Sequence, residues 1–168
     1  KVAVGNGLIT MYAKCGAIDY ACSVFELMED KDIVSWNSLI SSLDQNELYE
    51  ESVRNFCRMR RRGLKPSSFT LISCLSSCAS LGCLRTGEQA HTEALKLGLD
   101  SDVSVSNALL TLYGETGSFT DCEKLFLVMP EHDQVSWNSM IGSMADSGKY
   151  ASEALMYFLK MMRSSWHL

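Results

Sequence analysis

The 168-residue sequence is 46% apolar, 21% charged and 9% aromatic, has two prolines, and sets 15 Lys and Arg against 20 Asp and Glu for a formal charge of −5. That composition excludes a disordered chain, and no apolar run reaches the roughly 18 residues that a membrane-spanning helix needs. The acidic balance excludes holding nucleic acid by charge alone, and so few prolines argue against a turn-punctuated β-sandwich.

In chain order, Leu8, Ile9 and Tyr12 form an apolar stripe at helical spacing, Gly16 marks a turn, and Ala21, Val24, Phe25 and Met28 form a second stripe. Spacings of three and four place each stripe on one helix face, so residues 2–32 predict a helical hairpin. Residues 33–67 follow the same grammar, with Leu39, Ile40 and Leu43, a turn at Asn46, then Val53, Phe56 and Met59. Arg60, Arg61 and Arg62 occupy a last turn where cations complement the helix dipole, with Gly63 as a left-handed cap and Pro66 beyond it. Residues 68–102 turn at Gly82 and end on Lys96 and Gly98 in the same manner. Residues 103–133 carry Leu109, Leu110 and Tyr113, a turn at Gly117, then Leu125, Phe126 and Met129; the turn of residues 134–168 falls at Gly148.

The hairpins repeat. VSWNS stands at 34–38 and again at 135–139, an offset of 101 that also carries Val2, Asn6, Gly16 and Phe25 onto Val103, Asn107, Gly117 and Phe126. In the last unit Phe56 falls on Tyr157 at offset 101 but on Phe158 at offset 102, and Met59 then falls on Met161. One residue is therefore inserted near 147–151, Pro66 corresponds to Leu168, and the last position of that unit lies beyond the sequence. A hairpin of about 35 residues cannot bury its own stripes, so neighbours must stack. The expected fold is all-α: a right-handed α-solenoid of about five helix-turn-helix repeats, ten helices, forming a single domain over 1–168. Trp36 and Trp137 are expected to pack between repeats, and Trp166 to be exposed.

The seven cysteines fall mostly within apolar helical patterns, where a thiol acts as a small hydrophobe, and they suit a reducing compartment. Cys74, Cys78, Cys83 and His91 have no compact zinc-ligand spacing, so no metal and no cofactor are expected. No phosphate loop and no Ser/His/Asp grouping occurs, and His91, His132 and His167 are isolated, so no catalytic residue and no enzyme are expected. The sequence opens on Lys1 with no leader-like segment, which predicts a section of a longer polypeptide.

Units of 31, 35 and 35 residues in rotation resemble the PLS class of plant pentatricopeptide-repeat (PPR) proteins. VAVGNGLITMYAKCGAIDYACSVFELMEDKD (2–32) resembles the short S motif, IVSWNSLI with RRRGLKPS (33–67) the P motif, and FTLISCLSSCASLGCLRTGEQAH (69–91), in 68–102, the long L motif. S (103–133) and P (134–168) follow again. The resemblance implies sequence-specific binding of single-stranded RNA in mitochondria or chloroplasts, serving editing, splicing or processing. It implies one base per repeat, read chiefly through the fifth residue and the last, with the N-terminal repeat toward the RNA 5′ end.

The fifth residues are Asn6, Asn37, Ile72, Asn107 and Asn138. Each asparagine lies two residues before the first stripe residue, about 200° around the helix, so its amide is expected to project away from the packed face. An amide offers both donor and acceptor to a pyrimidine edge. The last residues are Asp32, Ser67, Asp102 and Asp133, which also suit helix N-caps. By resemblance Asn with Asp favours U and Asn with Ser favours C. Ile72 offers no hydrogen bond, and the last unit has its amide alone, so the expected target is 5′-U-C-N-U-Y-3′.

The resemblance further assigns base wedging to the second residues, Ala3, Val34, Phe69, Ser104 and Val135, and a phosphate contact to Lys14. Its counterparts Gln45, Ser80, Glu115 and Asp146 include two acids, so affinity from five repeats should be weak with a shallow salt dependence. The alternative is a protein-binding scaffold, since solenoids present extended surfaces and L motifs are associated with editing-factor partners. A last repeat without a polar cap also allows end-to-end self-association.

Overall fold

The computed structural model describes residues 1–164, and the expectations placed on Trp166, His167 and Leu168 lie outside the described residues. Ten helices run in order: α1 (Val2–Lys14), α2 (Ile18–Leu27), α3 (Ile33–Gln45), α4 (Tyr49–Arg61), α5 (Ser68–Ser80), α6 (Leu84–Leu97), α7 (Val103–Glu115), α8 (Phe119–Val128), α9 (Gln134–Asp146) and α10 (Ala151–Ser164). They gather into two compact units, residues 1–81 and residue 82 onward.

In the first unit, α1 packs on α2 and α3, and α3 on α4 and α5. Ile9, Ala21, Phe25, Trp36, Ile40, Leu43, Phe56, Met59, Leu71 and Leu75 have no accessible surface. The α1 stripe differs from expectation at Leu8, which stays 36% exposed while Ile9 is buried. The inward row of α1 is Gly5, Ile9 and Ala13, and no described helix covers the flank on which Leu8 stands.

The second unit repeats the plan. Helix α7 packs on α6, α8 and α9, and α9 on α10, over a core of Leu109, Leu110, Leu112, Phe126, Met140 and Tyr157. The turn from α9 to α10 spans 147–150, one residue more than the 46–48 turn from α3 to α4. Phe158 is 42% exposed, whereas Phe56 is fully buried beneath α5. The buried residues of α10 are Ala154 and Tyr157, which correspond at offset 102 to Ser52 and Asn55 on the face of α4 turned to α3. That register keeps the face toward α9, while among the described residues nothing covers the opposite face.

The first helices of the hairpins end alike. After α1, α3 and α7, a backbone N–H reaches back five positions and closes a six-residue loop: Ala17 to Tyr12 (2.9 Å), Leu48 to Leu43 (2.9 Å) and Ser118 to Tyr113 (2.8 Å). This closure needs one left-handed residue. Gly16 (φ 73°) and Gly117 (φ 74°) supply it without strain, but in the second hairpin it is Glu47, at φ 61°, and not the adjacent Asn46. A side chain in that region costs about 1–2 kcal/mol. The stacked tryptophans also repeat. Trp36 meets Phe25 edge-on at 4.8 Å and 74°, and Trp137 meets Phe126 at 4.8 Å and 68°.

Candidate nucleic-acid interface

Asp32, Ser67, Asp102 and Asp133 each precede a first helix, and each caps it. The side-chain oxygens of Asp32, Ser67 and Asp133 accept from the N–H groups of Ser35 (2.8 Å), Thr70 (3.4 Å) and Ser136 (2.8 Å); Asp102 accepts from Ser104 (2.9 Å). Asp32, Ser67 and Asp133 close reciprocal capping boxes, because the hydroxyls of Ser35, Thr70 and Ser136 accept from their backbone N–H groups. The Ser35 and Ser136 N–H groups hold the Asp32 and Asp133 carboxyls below the ordinary aspartate range, helped by the Asn6 and Asn107 amides.

Three asparagines reach these caps from the preceding hairpin. Asn6 Nδ2 donates to Asp32 Oδ1 at 3.3 Å, and Asn37 Nδ2 to Ser67 Oγ at 3.0 Å. Asn107 Nδ2 donates to both Asp133 oxygens, at 3.0 and 3.2 Å. The fifth and last residues of these units, 26 to 30 positions apart in sequence, are thus joined side chain to side chain.

The amides do not project away from the packed face, which corrects the sequence expectation. Asn6 is 9% and Asn107 7% exposed, Asn37 is half-buried, and only Asn138 is exposed. Ile9, Ile40 and Leu110, each three positions after its asparagine, are fully buried, and Leu39 and Leu109 beside them are buried too, so the packed face is wide; three residues turn the helix only 60° short of a full circle. The amide therefore flanks the core, in the seam between one first helix and the next.

On α1 and α3 the seam opens into a shallow cleft of about 600 Å³, where Asn6 shares the lining with Thr10, Met11, Lys14 and Val34. The fifth-position amide of unit one, the second-position residue of unit two and Lys14 thus meet in one cleft. All five second-position residues are exposed, Val34 by 50%, Val135 by 54% and Phe69 by 76%, with Ala3 and Ser104 also at the surface. Ile72 is half-buried on α5 and presents no polar side-chain atom; Gln45, Ser80, Glu115 and Asp146 are exposed at helix ends.

Sequence reasoning missed the hydroxyls of Ser35, Thr70 and Ser136, buried at 0–1% exposure inside this polar seam. Their signal was present: a Ser or Thr three positions after each cap residue, in the place where a capping box returns its bond.

A second cleft, of about 610 Å³, lies on α6, α7 and α8. His91 Nδ1 and Tyr113 Oη are 2.7 Å apart at its floor, with Glu88, Asp121 and Lys124 around it. Burial pushes His91 down and raises Tyr113 to about 12, so both are neutral near pH 7. Among the described residues no group of three His, Cys, Asp or Glu side chains is gathered for a metal ion.

Models of the PPR repeat match residues 6–33, 104–133 and 135–165, and a model of the PPR repeat family matches residues 31–80. The chain belongs to the pentatricopeptide-repeat family. A PPR protein of Arabidopsis thaliana is 56% identical over 167 residues, 99% of this chain and 17% of its own length. One named mitochondrial, from the same plant, is 34% identical over 99% of this chain and 22% of its own length. One named chloroplastic is 36% identical over 95% of this chain and 20% of its own. The chain thus spans about a fifth of the length of these curated relatives. Among solved structures, PPR10 in complex with an 18-nt psaJ RNA element superposes with a TM-score of 0.78 at 22% identity, over 95% of this chain and 24% of that one. Maize PPR10 superposes at 0.72 and 16% identity, over 98% and 24%. The fold of this PPR chain is accordingly the helical-repeat solenoid expected from its sequence.

Proposed function

We propose that this PPR segment binds single-stranded RNA sequence-specifically, one base per repeat, in an S-P-L-S-P array belonging to the PLS class. The observation that carries this reading is the pairing of Asn6 with Asp32, Asn37 with Ser67 and Asn107 with Asp133, each beside an exposed second-position residue. A partly buried polar pair recurring in phase fixes chemistry at a regular spacing, which suits a strand of regularly spaced bases. The RNA-bound PPR10 of the same fold supports the ligand class. Units one, two and four select U, C and U, unit three is silent through Ile72, and Asn138 alone gives unit five a pyrimidine preference. Ala3, Val34, Phe69, Ser104 and Val135 wedge the bases and Lys14 meets phosphate. The relatives named mitochondrial and chloroplastic support an organellar location, where this segment serves RNA editing or processing as the family resemblance implies.

The test is fluorescence anisotropy of a labelled 5′-UCNUY-3′ RNA against a purine-substituted control. Preference for the pyrimidine strand is expected, and equal weak binding to both overturns the proposal. Asn37→Thr combined with Ser67→Asp should move the preference of unit two from C toward G.

The cleft at His91 and Tyr113 favours one second reading, a scaffold that docks an editing-factor protein through the L-type unit. An acidic rim around an apolar floor suits a basic amphipathic segment. Exchange of residues 68–102 for a P-type unit abolishes partner capture in that case and leaves RNA selectivity at the other units intact.

A further inference from the structure

Asparagine side chains present opposite chemistry on half a turn about their last bond, which exchanges an N–H₂ donor for a carbonyl acceptor. Whatever holds one pole in the seam decides which pole is left for a ligand in the cleft. In unit two the holding is complete. Asn37 Nδ2 donates to Ser67 Oγ at 3.0 Å, Ser67 Oγ lies 3.0 Å from Thr70 Oγ1, and Thr70 Oγ1 donates to Asn37 Oδ1. With Ser67 as donor to Thr70, the three side chains close a ring in which each gives one proton and accepts one. In unit four Ser136 Oγ lies 2.6 Å from Asn107 Oδ1 and 2.9 Å from Asp133 Oδ1, so its one proton goes to the nearer amide oxygen, while Asn107 Nδ2 meets Asp133. Both carbonyl poles are occupied, and the group left over is the second hydrogen of Nδ2.

Unit one departs from this at one atom. Ser35 is as deeply buried as Ser136, but its hydroxyl donates to Asp32 Oδ1 at 2.8 Å. Asn6 Oδ1, also buried, has no partner. A hydroxyl has one proton, so the carboxylate and the amide compete for it, and in unit one the carboxylate takes it.

We infer that Thr70 and Ser136, the third residues of their hairpins, are positioning residues that fix the amide of the preceding repeat with its N–H toward the base, and that Ser35 does not do this for Asn6. Selection by units two and four then belongs to three side chains from two hairpins. A locked donor meets the C2 carbonyl oxygen that cytosine and uracil share and excludes the flipped amide, whose carbonyl would accept from a base N–H instead. Asn6 is held at its donor pole alone, by one 3.3 Å bond to Asp32, where Asn107 is held at both poles, so unit one discriminates less than unit four although both pair Asn with Asp. The inference rests on the RNA reading proposed above.

The experiment uses the whole chain and anisotropy with labelled 5′-UCAUC-3′ and strands carrying A at the first, second or fourth base. Thr70→Val keeps the side-chain shape and deletes the hydroxyl; it should cut the cytosine-over-adenine preference at the second base about fivefold, the worth of one hydrogen bond. Thr70→Ser should restore that preference, and the preference at the fourth base should not move. Ser35→Ala removes the equivalent capping bond yet should leave the first-base preference unchanged. Circular-dichroism unfolding verifies that each variant is folded; a purely capping role moves the midpoint without changing the ratio at one base. An unchanged second-base ratio in folded Thr70→Val, or an equal fall at the first base in Ser35→Ala, overturns the inference. If the unmodified chain shows no base preference anywhere, the RNA reading itself fails and this inference with it.

Discussion

The two VSWNS segments hold the same five residues in different surroundings. In the first, Trp36 is fully buried, with the Arg58 and Arg62 guanidinium groups 5.7 and 5.3 Å from its ring centre, and Asn37 is locked by Ser67 and Thr70. In the second, Trp137 is half-buried against Phe126 and His132, and Asn138 is exposed. Local geometry is retained, since Val34 and Val135 are 50% and 54% exposed and Ser35 and Ser136 are both buried. At the asparagine the difference lies downstream, since α5 and its cap follow the first segment and no described hairpin follows the second; at the tryptophan it lies within the hairpin, where Arg58 and Arg62 cover Trp36. A repeat in this protein supplies half of its own chemistry, and the following hairpin supplies the rest.

The sharpest way to break that comparison is truncation of the two tryptophans. Trp36→Ala should cost about 3–5 kcal/mol, as for other large buried side chains. Trp137→Ala should cost on the order of 1–2 kcal/mol, because its site is already open to water. Urea midpoints measured in parallel decide it, and equal losses would mean that the cover of Trp36 by Arg58 and Arg62 adds nothing to the tryptophan site.

Next in size are the caps. Asp32→Ala and Asp133→Ala should each cost about 1 kcal/mol in thermal unfolding, the usual worth of a helix cap. Both carboxyls titrate below their unfolded value, chiefly because backbone N–H groups bind the charged form. Their stabilising effect is therefore complete above the unfolded aspartate pKa of roughly 4 and is lost as the pH falls through the lower folded values. Acid titration of unfolding should show a shallower decline in the double variant than in the unmodified chain; parallel declines would exclude these two groups as the cause.

A smaller effect of opposite sign is expected at the turns. Glu47→Gly should raise stability by about 0.5–1 kcal/mol, relief of left-handed strain being partly offset by the greater freedom of glycine in the unfolded chain. Gly148→Glu, the reciprocal change at φ 63°, should lower it by about 1–2 kcal/mol. A melting curve that does not move in either variant would show that the turn relaxes out of the left-handed region.

Helical hairpins, their turns and their caps were legible in the sequence because they rest on local signals: Ile9, Ile40 and Leu110 at helical spacing, Gly16 and Gly117 at the turns, Asp32 and Asp133 ahead of first helices. Long-range matching of VSWNS carried the order of the repeats. The orientation of the asparagines was not legible. It depends on how far around each first helix the packed face extends: Ile9 is buried and Leu8 is not, whereas Leu39 and Ile40, and Leu109 and Leu110, are buried together, and hydrophobicity does not separate these cases. Left-handed Glu47 was equally hidden, because the demand for that conformation comes from the six-residue closure between Leu48 and Leu43 and not from the residue that meets it. The destination of the Ser35, Thr70 and Ser136 protons is set by tenths of an ångström in a packed seam, a scale no spacing rule reaches.

Because the capping residue between two hairpins binds backward to an amide and forward to a helix start, the natural cutting point for exchanging modules does not coincide with the repeat boundary. A cassette that ends at Ser67 leaves its Asn37 dependent on whatever third residue the recipient provides. Cassettes extended through Thr70 carry amide, cap and hydroxyl together, and engineered arrays joined at that point keep each hydrogen-bonded set intact.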